Sequence, residues 1–457
     1  MTTTNAKTVK AIPLNSKNEI VTNTTYRNNI ASNYTEIIEQ LEKNFSYEEN
    51  KNEYWGPVEL SIFYGSPLYE QASETQKIAL NHLYWITQYN QTAATEANAV
   101  LYNQVTEGVF NAVGGYDILC KELSLETEQE HAHMHAFHSV GYATRKALFG
   151  NTAFSRPKPI LSKINSKHRL TNISLNLPNL NWENLKEDAW KRISIQLSSG
   201  NGKQFYSEYL LSLEQMGRRI PVQTSGLLGQ VVPASLSKLL TTNFGSSPFS
   251  ACFFYATRYM ANMLLKNWEQ RYLQHYRQLD QSGSIIPAPV AISYYHMLDE
   301  SFHTTISQLI SQDLYKEFNK PTLYEQLMAN AVFYRGQELL LSGLSGVMPS
   351  TFRNDGVFLQ PLYRILRSPV FDFDHDTTMH WLQRALCEEH DGYHMNLKHH
   401  HRLLTAMKHA FQPLNYLWPV NRQLGIMSSG CSIMRNLQAN KKDYDLFSKS
   451  SNQMKNS

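Results

Sequence analysis

The sequence predicts an all-α protein organised around a four-helix bundle, and three observations predict it. Long segments carry apolar residues at helical spacing, while runs of period-two alternation are scarce. Two of these segments meet at Gly114-Gly115 and two more at the break around Gly283, which gives two helical hairpins. Each hairpin carries a glutamate in its first helix and a Glu-x-x-His in its second.

Residues 1–72 read as an N-terminal arm whose first twenty residues are polar, loose and without an apolar stretch of signal-peptide length. Ser73 with Gln76 forms a capping box that opens the first bundle helix, "ETQKIALNHLYWITQYNQTAATEANAVLYN". After the glycine pair the second helix runs from about Asp117 to Leu148. Residues 150–247 hold most of the Pro, Ser and Asn punctuation and read as a long insertion with a few short helices. The third helix spans about Ala251 to Leu279 and stops at "DQSGS". The fourth spans about Val290 to Asp313, with Pro289 near the favoured first-turn position. The bundle therefore occupies 73–312. Extra helices at 320–343, 376–391 and 395–411 belong to a C-terminal region, 313–440, packed on the bundle. Residues 441–457, rich in Asn, Ser and Lys, read as a flexible tail.

A chain of 457 residues with 42% hydrophobic and 18% charged residues has the composition of a globular protein. A net charge of +3 gives no reason to expect a nucleic-acid surface. The four cysteines, Cys120, Cys252, Cys387 and Cys431, are far apart and read as reduced thiols, which points to the cytoplasm. The best candidate for a membrane span, "SACFFYATRYMANMLL", is broken by Arg258, so no span is expected. No phosphate loop, dinucleotide fingerprint or nucleophile elbow occurs.

The chemistry sits in the hairpins. Glu130 follows Glu96 by 34 residues and Glu300 follows Glu269 by 31, and each interval has its midpoint at the break between helices. Antiparallel helices joined at the midpoint bring such residues level. The stretch "EQEHAHMHAFHSV", residues 128–140, offers two overlapping pairs, Glu128/His131 and Glu130/His133. Helical periodicity separates them. Leu119, Leu123, Glu126, Glu130, His133, Phe137, Val140 and Thr144 form a largely apolar, inward stripe. Glu128, His131, His135, His138, Tyr142 and Arg145 form a polar one. The fourth helix places Ile292, His296, Glu300, His303 and Ile306 on one face.

The candidate ligands are thus Glu96, Glu130, His133, Glu269, His296, Glu300 and His303. Four carboxylates and three imidazoles without a thiolate suit two iron ions, a mixed iron–manganese pair or two manganese ions. The arrangement is a ferritin-like bundle core with a dimetal site. Asp299, turned about 100° from Glu300 along the helix, is placed to accept a proton from a ligating imidazole. Glu107 shares a face with Glu96, but its 23-residue separation from Glu130 puts the midpoint inside the second helix. Eight of the seventeen histidines fall in 375–409; Gly392 weakens the helix there and His399-His400-His401 point in three directions, so a polar surface or pocket wall is expected rather than a second metal site.

The spacing Glu269 … Asp299-Glu300-Ser-Phe-His303, with His296 one turn earlier, resembles the motif of the p-aminobenzoate N-oxygenase family of di-iron proteins. The doubled motif, which also reads Glu96 … Gln129-Glu130-His-Ala-His133, and the long insertion resemble the cyanobacterial dimetal-carboxylate halogenases of the cylindrocyclophane chlorinase type. The resemblance rests on residues 75–148 and 250–310. It implies O2 activation at the dimetal centre, electrons from an external donor, and a halide co-substrate, chloride or bromide. The product it implies is a halogen at an unactivated carbon of a fatty acyl chain carried by an acyl carrier protein. A homodimer is left open. No ligand position is replaced by Ala or Gly to make room for a halide, so N-oxygenation or hydroxylation stays as an alternative enzymatic reading. An iron-storing or structural bundle is the non-enzymatic one, and it fits poorly because basic residues outnumber acidic ones, 42 to 39.

Overall fold

The computed structural model describes residues 16–32, 34–150, 153, 182–199, 203–221, 234–349, 355–430 and 432–455. Among them every regular element is helical. Helices α1 (Ser16–Ser32) and α2 (Tyr34–Lys43) precede α3 (Glu74–Val113) and α4 (Asp117–Phe149). Next come α5 (Trp182–Leu197), α6 (Glu208–Gln215) and α7 (Ala234–Phe244), followed by α8 (Pro248–Ser282) and α9 (Ala288–Gln312). The C-terminal part contributes α10 (Leu323–Leu341), α11 (Leu359–Leu366), α12 (His375–Cys387), α13 (Asp391–Phe411) and α14 (Ile433–Lys455), with shorter helical turns between. No helix of the described residues is long and apolar enough to cross a membrane.

The long helices begin and end where local chemistry dictates. Ser73 accepts from the Gln76 amide and Gln76 returns the bond to Ser73 N, so both orphan donors at the start of α3 are satisfied. Ser247 caps α8 from the Ser250 amide, with Pro248 in the first turn. The hairpin turns fall at Gly114 (φ 80°) and Gly115 (φ 85°), and at Gly283 (φ 65°), a backbone region that residues with a Cβ avoid.

Helices α3 and α4 form one antiparallel hairpin and α8 and α9 the other. The hairpins pack so that their turns lie at opposite ends. One apolar core joins Val105, Val109, Phe110, Leu119 and Leu123 to Phe249, Phe253, Ile306 and Ile310. The second joins Leu80, Trp85, Tyr89, Phe137 and Val140 to Trp268, Tyr272, Val290 and Ile292. Each of the four helices runs from one core to the other. The candidate ligands occupy the layer between, where polar groups are walled off from water at both ends.

Two expectations need correction. The segment 441–457 was expected to be a flexible tail, but α14 extends to Lys455 and packs through Tyr444 and Phe447 into the second core. Leu437, Asn440, Tyr444, Phe447 and Ser451 make a narrow buried stripe that the surrounding Lys, Asn and Asp residues dilute. Gly392 does not break the helix: it lies in the first turn of α13, where a Cβ would come within 2.4 Å of Tyr64 O and 2.6 Å of Gly346 O. The N-terminal arm begins with the two helices α1 and α2, which lie across both α4 and α9. Much of the 150–247 insertion, and residues 1–15, lie outside the described residues.

Candidate metal centre

All seven sequence-predicted ligands are buried, with Glu96 the most exposed at 5%. On α4 the phase is the one the apolar stripe predicts: Glu130 and His133 face inward, whereas Glu128 and His131 are exposed. Glu107 is half-buried and lies outside the cluster.

The inward groups converge as two sets. Ligand atoms of Glu96, His133, His296 and Glu300 lie within 4.8 Å of one another, and so do those of Glu130, Glu300 and His303. Glu300 belongs to both sets. Helix α4 runs antiparallel to α9, which places His133 beside Asp299 and Gln129 beside His303. Asp299 Oδ2 lies 3.1 Å from His133 Nε2, and Gln129 Oε1 lies 3.0 Å from His303 Nε2. Glu269 belongs to neither set. Its Oε1 reaches His296 Nδ1 at 2.7 Å and accepts from the Tyr89 hydroxyl at 3.1 Å, while His296 Nε2 faces Glu96 Oε1 at 2.9 Å.

Burial and charge pull against each other here. Burial pushes the Glu96 carboxyl up to about 7 even though His296 favours its charged form. Burial also opposes charge on His133, but the bond to Asp299 and the Glu130 carboxylate 3.8 Å away push that imidazole up to about 9. His296 and His303 are likewise raised well above the ordinary histidine value: burial works against them, and Glu269 and Glu300 respectively outweigh it. Glu300 resists burial through the charge on His303, which holds it at about 2. Glu130 falls well below the carboxylate range because His133, His303 and Arg258 overcome its burial.

The donor set fits metal ions. Glu96 Oε2, Glu130 Oε2, His133 Nδ1 and Glu269 Oε2 are buried and make no hydrogen bond. Four such atoms on four converging acid and imidazole side chains are costly in a folded core unless a cation takes them up. Carboxylate oxygens and imidazole nitrogens without thiolate suit iron or manganese.

Several participants escaped the sequence reading. Arg258 is buried and donates to Glu126 Oε2 at 2.5 Å and to Glu130 Oε1 at 3.1 Å. Its only sequence signal is that it interrupts an otherwise apolar helix. Asn29, on α1, donates to Glu122 Oε1 (3.0 Å) and accepts from Gln129 (2.6 Å), and nothing in the sequence singles it out. Burial and the neighbouring Glu126 push Glu122 up to about 7. The C-terminal histidines do not gather: His390 bonds Ala385 O, His375 bonds the Tyr363 hydroxyl and His394 pairs with Glu389 at the surface.

A family model of CylC-like acyl halogenases matches residues 17–448. The chain belongs to the CylC-like acyl halogenase family. No curated protein and no solved structure matches it. The match covers the arm from α1 and the C-terminal helices as well as the bundle, so α1, α2 and α10–α13 belong to the acyl halogenase unit as much as the two hairpins do. Family membership makes the chain an enzyme and supports halogenation of an acyl substrate. It agrees with the halogenase side of the resemblance drawn from the motifs and does not address the N-oxygenase side.

Proposed function

We propose that this acyl halogenase holds two transition-metal ions through Glu96, Glu130, His133, Glu269, His296, Glu300 and His303. In this reading it uses them, with O2, an external electron donor and a halide, to replace a C–H by a C–halogen bond in a carrier-protein-bound fatty acyl chain. The observation that carries the reading is the four ligand atoms without a hydrogen bond between the two cores, two of which, Glu130 Oε2 and His133 Nδ1, face each other at 3.8 Å. A reduced iron or mixed iron–manganese pair would supply the activation of O2 needed to attack an unactivated carbon.

The chain's own residues do the rest. Asp299 and Gln129 fix the rings of His133 and His303 through the ring nitrogens turned away from the cluster, which orients the other nitrogens inward. Phe137 lies 4.9 Å from the His296 ring, and Tyr89 packs on both His296 and Trp268. This aromatic wall excludes water from one side of the site, which keeps reactive species from being quenched by solvent. Selection of halogen over oxygen then depends on where the substrate carbon is held.

The test is a carrier-protein assay with acyl chains of medium length, read by mass spectrometry. A monochlorinated product that requires chloride, and a brominated one when bromide replaces it, is expected. Oxygenated product in both salts, or turnover of an arylamine with no halogen incorporated, would overturn the reading.

A further inference from the structure

The two hairpins match position by position around the site, with Glu130 corresponding to Glu300, His133 to His303 and Gln129 to Asp299. The match fails one turn earlier. Four residues before its glutamate the second hairpin has His296, and the first has Glu126. His296 faces the four-donor set. Glu126 is equally buried, and Arg258 bridges it to Glu130, a member of the three-donor set of Glu130, Glu300 and His303.

A carboxylate there has the chemistry of a fourth donor: its Oε1 is buried without a hydrogen bond, while its Oε2 is held by Arg258 and so directed away from the three-donor set. Arg258 Nη1 donates to Glu126 Oε2 at 2.5 Å, and Nη2 donates to Glu130 Oε1 at 3.1 Å. Asn103 Oδ1 accepts from the same Nη1 at 3.0 Å and from the Tyr255 hydroxyl at 2.8 Å, which fixes the plane of the guanidinium. The other hairpin has no such cation. The position corresponding to Arg258, eleven residues before Glu96, is Trp85, whose indole N–H goes to Ser293.

We propose that Arg258 is a positioning residue: by holding Glu126 it keeps that carboxylate from the metal carried by Glu130, Glu300 and His303, and leaves this ion a coordination position for an exogenous small anion. The inference rests on the dimetal reading above. It would make the two donor sets unequal, with the exogenous anion taken at the set of Glu130, Glu300 and His303, which lacks His296. That position need not be vacated by replacing a ligand with Ala or Gly, because a potential ligand is held back instead.

Azide is the probe, titrated into the full-length, iron-reconstituted ferric protein and followed by its charge-transfer absorption. Wild type and Glu126→Gln should bind azide alike. Arg258→Gln frees Glu126 to coordinate and should weaken azide binding by roughly tenfold or more. Arg258→Gln combined with Glu126→Gln should recover it. Equal azide affinity in wild type and Arg258→Gln, or no recovery in the double variant, overturns the role of Arg258. Should Arg258→Gln fail to fold, Glu126→Gln decides alone: unchanged metal content and azide affinity support the proposal, and loss of metal shows that Glu126 coordinates and overturns it. Metal uptake separates the two levels of inference. A wild-type protein that takes up no metal overturns the dimetal reading itself, whereas two metals in every variant with unaltered azide binding overturns only the inference about Arg258.

Discussion

Asp299 and His133 sit on different hairpins, yet the Asp299 carboxylate lies 3.1 Å from His133 Nε2 with both side chains fully buried. The residue before one motif's glutamate therefore orients the histidine of the other, and Gln129 does the same for His303. Asp299→Asn keeps the shape and removes the charge. Metal retention against a chelator should fall by roughly 10–100-fold while the helical content stays. Retention equal to wild type would mean that Asp299 does not act through His133.

Within "EQEHAHMHAFHSV" only one of the two Glu-x-x-His pairs points inward. His133→Gln should lose bound metal and abolish turnover, and His131→Gln should leave both nearly intact. Elemental analysis of the two reconstituted variants checks this directly. The reverse pattern would place the helix two residues out of phase.

The bundle and its inward residues were legible because they follow local rules: helical period, glycine breaks and midpoints. Glu96, Glu130 and Glu300 needed nothing more than counting along the chain. The lateral shell was not legible, since Asn29 reaches Gln129 across 100 residues and Arg258 reaches Glu126 across 132. Such pairings are set by how the hairpins and the arm pack, and packing leaves no periodic trace. Helix α14 was missed for a different reason: its apolar stripe is one residue wide in a polar segment, and average composition hides it.

That helix offers its own check. Phe447 is fully buried in the second core, and the Tyr444 hydroxyl donates to Met379 O at 2.9 Å. Phe447→Ala should destabilise the protein by about 3–5 kcal/mol, measured by chemical denaturation. A change within about 0.5 kcal/mol, as expected of an exposed site, would return the segment to a tail.

His82 gives a pH dependence away from the metal centre. Its ring stacks on Trp55 at 4.0 Å, and its nitrogens meet Glu53 O at 2.8 Å and the Tyr47 hydroxyl at 3.2 Å. Burial lowers it to about 4 from 6.5, with the bond to Glu53 O pulling the other way. Between those values the unfolded chain binds a proton that the folded one does not, so stability rises with pH. The contribution is complete above about pH 6.5 and is lost as pH falls toward about 4, amounting to about 3 kcal/mol. His82→Gln should flatten the stability–pH curve by one proton across this window, and an unchanged slope would show that His82 titrates normally.

Glu269 is the proposed ligand that the structure leaves outside both donor sets, so its role needs the sharpest test. One of its oxygens is committed to His296 and to the Tyr89 hydroxyl, and the other has no partner. If the free oxygen serves a metal, the committed one serves to aim it. Glu269→Gln should then lower bound metal, because an amide is a poor substitute for a carboxylate toward a hard cation. Tyr89→Phe removes only the aiming bond. It should keep both metals while turnover falls, since the ring and its packing on Phe137 and Trp268 remain. Metal content measured beside turnover separates these roles. Two tightly held metals in Glu269→Gln would reduce Glu269 to a partner of His296 and leave six ligands where seven are proposed.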